Sequence, residues 1–376
     1  MPALAKSHID GLVTWRALLM LGGLLLHATT GQENYPPFAV INIVSGSFRT
    51  GAFFMISGLL TGLALTRHAD GLGWLERRML QLALPTLFGI LLLCPAIYLL
   101  ARATETQAPL FSLYHLWFMI ALVDYTLIAW FVHRIDMIYM VFERLTYSNR
   151  TARLPQSVLL VGTGTLSFLL MLQLAAMTAR WSGDHASLLR QLPLIVGYAP
   201  TFLLGLACGR VPALRHVLID RVRVPLAIIA AAVAGHLGLQ FAGPALLAPS
   251  THADVEQLLL LAGAAWCPPA AAALILRSAI GIRGVPPLLR RLSAASLTMY
   301  LLHFPLMITA NAIIRPFAPS PWIGFAVSLI VGGGLSYLIH VEVVERSRWA
   351  MLIVNGRIRR VPNHAATRAA LMPASS

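Results

Sequence analysis

A chain of 376 residues could hold two or three soluble domains, but 58% hydrophobic against 11% charged residues, with mean hydropathy +0.75, excludes a soluble surface. The net charge of +14 would suggest nucleic acid in a soluble protein; here the bases lie between apolar runs, so they report membrane topology, and no nucleic-acid-binding module accompanies them. Cys94, Cys208 and Cys267 all fall inside apolar stretches without metal-site or disulfide spacing, and read as inert thiols.

A membrane helix needs about 20 mostly apolar residues. Ten stretches qualify, near 12–30, 50–66, 78–101, 113–133, 157–177, 189–209, 224–242, 255–276, 293–313 and 321–341. The first lacks a small-residue cleavage site and is followed by many more, so it reads as a retained span. Pro85, Pro95, Pro200, Pro268 with Pro269, and Gly332 to Gly334 predict kinks, tolerated where neighbouring helices re-satisfy the backbone. The longest connections, 31–49 and 134–156, leave no room for a soluble domain. The expectation is one all-α polytopic membrane domain over 1–346 and a short basic tail over 347–376. Only Arg49, Arg102, Arg180, Arg190 and Arg315 fall in the odd-numbered connections, and Arg16 sits at the start of the first span; every other base lies on the opposite side. The positive-inside rule therefore places both termini in the cytoplasm, and the alternation supports an even number of spans.

Ionisable groups at membrane depth are costly and each is a functional hypothesis unless it can snorkel to an interface. Arg16 and His27 are eleven steps apart in the first span. At 100° per residue that is within about 20° of three full turns, so both project from one face roughly 16 Å apart along the axis. In the second span Ser57 and Gly58 permit close helix approach. Arg78 and Gln81, at i and i+3 where the third span begins, form a grip suited to phosphates or lipid headgroups. The fourth span opens with His115-Leu116-Trp117-Phe118 and carries Asp124, the most isolated acid in the chain, open to either a structural hydrogen bond or a site role. Ser296, Tyr300 and His303 stand at i, i+4 and i+7 of the ninth span and form one polar stripe, which either glues helices together or lines a site. Walker A, GxSxG, HExxH and CxxC patterns are absent, so the nucleotide-driven and common hydrolytic chemistries have no motif, and no metal site is expected.

Taken in order, these fragments resemble the acyltransferase type 3 family of integral-membrane acyltransferases, and within it the glucan biosynthesis protein C branch of periplasmic glucan succinyltransferases. The Arg-x10-His signature falls on Arg16 and His27, Phe-Phe-x-x-Ser-Gly on Phe53 to Gly58, His-Leu-Trp-Phe on His115 to Phe118, and Ser-Leu-x-x-Tyr-Leu-x-His on Ser296 to His303, followed by Pro305-Leu306 and Pro321 to Phe325. Where many members carry Arg-x-x-Arg, this chain has Arg78-x-x-Gln81, with Arg77 available to substitute. Asp10-Gly11-Leu12 also stands three residues further from Arg16 than in the usual pattern.

The resemblance implies a multi-pass protein of the inner membrane, with no bound cofactor, that takes an acyl group from cytoplasmic acyl-CoA and delivers it to a hydroxyl of a periplasmic glucan or other surface glycan. Succinyl-CoA is the favoured donor and acetyl-CoA the next. His27 is then the base, an imidazole being apt near neutrality. Arg16 orients the donor or stabilises oxyanion charge. Arg77, Arg78 and Gln81 hold the CoA phosphates, while Ser296, Tyr300, His303, His115, Trp117, Asp124 and Arg49 position acceptor or acyl group. Arg49, expected at the outer end of the second span, would meet the free carboxylate of a succinyl group. A proton-coupled secondary transporter using Asp124 and the histidines is the alternative from another class, although the two halves show no repeated environment.

Overall fold

The computed structural model describes residues 2–30, 32, 35–68, 71–103, 112–180, 186–314, 316–317 and 320–358. Arg315, and Arg359, Arg360 and Arg368 of the tail, lie outside them. The described residues form helices joined by turns, with no strand among them, and ten helices are long and apolar enough to cross a membrane: Asp10–Ala28, Pro36–Leu65, Leu72–Ala103, Trp117–Tyr139, Gln156–Thr178, Ser187–Arg210, Arg223–Leu246, Pro249–Ala279, Pro287–Ile314 and Pro321–Val344. This is an all-α polytopic membrane protein.

Two boundaries differ from expectation for a physical reason. The second span starts at Pro36 rather than near residue 50, so the expected connection 31–49 is mostly helix. Pro36 and Pro37 suit the first helical turn, whose amide hydrogens have no intrahelical partner. The polar residues that follow are satisfied internally: Thr29 Oγ1 bonds Asn42 Oδ1 at 2.9 Å, Ser47 Oγ donates to the Ile43 carbonyl at 2.6 Å and Arg49 Nε donates to Ser45 Oγ at 3.0 Å. Each lowers the apparent hydropathy of a segment that folds as a largely half-buried helix. Likewise the fourth span runs to Tyr139, and the connection after it contains short helices Val141–Tyr147 and Asn149–Ala152.

The second and sixth spans make the closest pairing in the core. A Cβ added at Gly58 would stand 2.1 Å from the Phe202 carbonyl oxygen, and one at Gly205 would stand 2.0 Å from that of Met55. Gly62 and Gly209, one turn further on, meet in the same way, so two small-xxx-small faces interlock backbone to backbone. At the arginine-rich end an ion pair of 2.6 Å joins Arg210 to Asp136, and the second Asp136 oxygen accepts the Phe142 amide at 2.8 Å. This ties the ends of the fourth and sixth spans. Two π-helical turns fall where Pro and Gly accumulate, whereas Pro268 and Pro269 sit inside the unbroken helix Pro249–Ala279. The third span passes through a π-helical turn at Gly89–Leu93, between Pro85 and Pro95, and the last through Ile330–Leu335, which holds Gly332 to Gly334.

Beyond the last span, Arg348–Asn355 forms a short helix that packs against the third span. The beginning of the tail is thus folded back onto the bundle. Arg357, just past this helix, shares a cavity with Arg16 of the first span, so the beginning of that span and the last described residues lie at one end of the bundle.

Candidate active site

Two cavities lie end to end in the bundle, sharing one wall. The larger, about 360 Å³, is lined mainly by apolar side chains but receives His27, His115, His303, Tyr198 and Arg49. The smaller, about 140 Å³, is polar and receives Arg16, Arg78, Gln81, Asn355 and Arg357. Met20, Phe53, Phe118, Ser296 and Tyr300 border both. The wall between them is therefore made of side chains from the first, second, fourth and ninth spans.

The helical face expected to carry Arg16 and His27 does carry them, one in each cavity, with Met20 between. The Arg16 guanidinium stands 5.4 Å from the centre of the Phe53 ring, and its Nε is buried without a partner among the described residues. Rings of Phe53, Phe118 and Tyr300 follow one another across the wall at 5.1 and 5.4 Å between centroids.

In the larger cavity three imidazoles converge, from the first span, the ninth span and the turn that precedes the fourth. His27 lies 5.1 Å from His303 and 6.4 Å from His115, and His115 lies 5.3 Å from His303, between ring centroids. The Phe304 ring closes on His27 at 5.1 Å. His303 has a fixed tautomer. Its Nδ1 lies 3.0 Å from the Met299 carbonyl oxygen and 2.7 Å from that of Tyr300, and carbonyls only accept, so Nδ1 carries the proton. Among the described residues the Nε2 lone pair of His303 is left buried and without a partner. Tyr300 donates its hydroxyl to the His115 backbone carbonyl, pinning the turn that presents that imidazole. Ser296 donates to its own helix, to Ser293 O at 2.9 Å. Trp117 lines the same cavity and stacks on Tyr198.

Arg49 is not at the outer end of its span. Its guanidinium enters the larger cavity against Gly23, where an added Cβ would stand 2.7 Å from Nη1, so the first span makes room for it. Arg77 is exposed and donates to the Gly73 carbonyl at 2.8 Å, away from both cavities. Arg77 and Gln81 stand at i and i+4, so the helix alone would let them share a face; the Arg77 side chain instead turns back to Gly73 and does not line the cavity that receives Arg78 and Gln81. Substitution of the missing second arginine by Arg77 is thereby corrected. Asp124 lines neither cavity and is half-buried on the fourth span, so the structure does not bring it to the other candidates.

Tyr198, Asn355 and Arg357 escaped the sequence reading. Tyr198 lacks any periodic signal of its own, and the other two follow the last apolar run, where they register only as tail.

The sequence model of the acyltransferase type 3 family, described as an acyltransferase domain, matches residues 9–341. No curated protein matches the chain significantly. No solved structure does so either.

Proposed function

The chain belongs to the acyltransferase type 3 family, and we propose that this membrane-embedded acyltransferase moves an acyl group from acyl-CoA, bound on its arginine-rich cytoplasmic face, to a hydroxyl of a periplasmic glucan or other surface glycan. Succinyl is the favoured group and acetyl the next, and the inner membrane is the proposed location. The observation that carries this reading is the pair of cavities sharing a wall of side chains, one polar and cationic, the other apolar with three imidazoles.

The chemistry follows from what each end offers. A polyanionic donor suits the guanidiniums of Arg16 and Arg78. Its thioester, pointed at the shared wall, meets Tyr300, Ser296 and Phe53. On the other side His27 takes the proton of the acceptor hydroxyl as its oxygen attacks the thioester carbonyl. The tetrahedral intermediate collapses with cleavage of the C–S bond, and the CoA thiolate leaves toward the arginine-rich side. His303, with Nδ1 committed to backbone carbonyls, presents only its Nε2 lone pair and can accept a hydrogen bond from the acceptor. Arg49 gives the apolar cavity one fixed positive charge, the complement of the free carboxylate of a succinyl group.

The test is release of CoA thiol by purified protein in nanodiscs, offered succinyl-CoA or acetyl-CoA with cyclic or linear glucan. Thiol release by the wild type that His27→Ala, folded to the same extent, loses by a factor of about 100 or more supports the reading. No release with any donor would sink the proposed donor, and release unaffected by the substitution would remove His27 from the chemistry.

A further inference from the structure

We infer that the C-terminal turn Asn355–Arg357 is part of the donor site, and that Arg357 supplies the second phosphate-binding arginine that position 81 lacks. The inference rests on the reading of the polar cavity as the donor site. The segment lies outside residues 9–341, the part of the chain matched to the family.

The backbone there is built for close contact. The helix Arg348–Asn355 ends in Gly356, at φ +58, a left-handed conformation that favours glycine. The Gly356 amide returns to the Leu352 carbonyl at 2.8 Å and the Arg357 amide to the Met351 carbonyl at 3.3 Å, which fixes the direction in which Arg357 leaves the helix. Gly356 lies directly on the third span: an added Cβ would stand 2.3 Å from the Leu80 carbonyl oxygen and 2.4 Å from Gln81 Cα. The tail is therefore seated on the very turn that carries Arg78 and Gln81. Buried Asn355 is held from the ninth span by Thr298 Oγ1 at 3.4 Å, and Thr298 is in turn 2.8 Å from His340 Nδ1.

Arg16, Arg78 and Arg357 thus face one small cavity from three separate segments, close enough to repel one another. Among the described residues no carboxylate lines that cavity, and Arg16 Nε is buried there without a partner. Three converging cations with Gln81 and Asn355 beside them match the chemistry of a polyphosphate, and the phosphates of a coenzyme A thioester are the occupant this reading selects.

Equilibrium binding of CoA to the full chain in nanodiscs of zwitterionic lipid tests this without depending on the acyl group. Arg357→Gln is expected to weaken CoA binding roughly ten- to hundredfold, the range of a lost charge-assisted hydrogen bond. Arg357→Lys should recover part of that loss, and Arg348→Gln, an exposed change in the same helix, should have no effect. Truncation after Gly356 is expected to reproduce Arg357→Gln. Pantetheine, which lacks the nucleotide phosphates, should bind wild type and Arg357→Gln equally weakly. In turnover, the KM for acyl-CoA should rise while kcat stays within about threefold.

CoA binding weakened by Arg78→Gln but not by Arg357→Gln or the truncation would overturn the role of the tail while leaving the donor site in place. No CoA binding by the wild type would overturn the donor reading itself, and the inference with it. CoA binding abolished by anionic lipid in wild type, but retained in Arg357→Gln, would assign the tail arginine to lipid headgroups instead.

Discussion

Arg49→Gln separates donor selection from catalysis. The second span starts at Pro36, so Arg49 lies thirteen residues into it, about 20 Å along the axis from that end. One guanidinium nitrogen, Nε, is engaged by Ser45 Oγ at 3.0 Å, and the terminal nitrogens lie against Gly23 in a cavity whose lining is otherwise largely apolar. A succinyl carboxylate there would gain a charge-assisted hydrogen bond of about 1.5–3 kcal/mol, which is roughly ten- to 150-fold in relative kcat/KM. An acetyl group, having no carboxylate, gains nothing from the charge. With succinyl-CoA and acetyl-CoA in competition over one glucan acceptor, the ratio of succinyl to acetyl product, measured by mass spectrometry, should fall by that factor in Arg49→Gln. The acetyl rate should change little. A ratio that stays constant would refute the assignment. If both rates fell together, Arg49 would be a structural partner of the first span and not a reader of the acyl group.

Two further perturbations probe the frame and the imidazole cluster. Gly205→Ala puts a methyl about 2.0 Å from the Met55 carbonyl oxygen, so the second and sixth spans must separate by more than 1 Å. Such overpacking costs about 1–3 kcal/mol, and the melting temperature of the purified protein should drop by several degrees; an unchanged melt would show that this contact is not the tight one. His303→Asn keeps an amide donor near the Met299 and Tyr300 carbonyls, replacing Nδ1–H, but removes the Nε2 lone pair. Activity should fall by a factor of about 100 with the melting temperature nearly unchanged, whereas retained activity would assign His303 to helix packing alone.

The parts of this protein legible in its sequence are those governed by one helix at a time. The spans follow from apolar length, and the shared face of Arg16 and His27 follows from eleven residues being nearly commensurate with three turns. The start of the second span was hidden because Asn42, Ser45, Ser47 and Arg49 look like a polar loop to any hydropathy window, although each finds a partner inside the bundle. Arrangement between helices leaves no such trace. His27, His115 and His303 belong to three different segments, and no periodicity relates them. Asp124 shows the opposite failure: the cost of an acid at membrane depth singles it out, yet it lies beside neither cavity. Arg357 was invisible for a third reason. A cation beyond the last apolar run counts toward topology, and only the fold returns it to the third span.

The composition of the shared wall bears on how transfer could proceed without leaking. Met20, Phe53, Phe118, Ser296 and Tyr300 divide the cavities with side chains alone, drawn from four spans. On the proposed reading a thioester approaching from the arginine-rich end and a hydroxyl from the imidazole end need only displace rotamers to meet. The helices, locked by the glycine interlock of the second and sixth spans, need not move apart. Apolar rings at the meeting point also exclude the water that would hydrolyse the thioester, and they strengthen every charge placed beside them. Tyr300 is the member whose position is most constrained, since its hydroxyl is bonded to the His115 carbonyl on the far side. Its aromatic ring therefore couples the wall to the turn that presents His115, and movement of either is felt by the other.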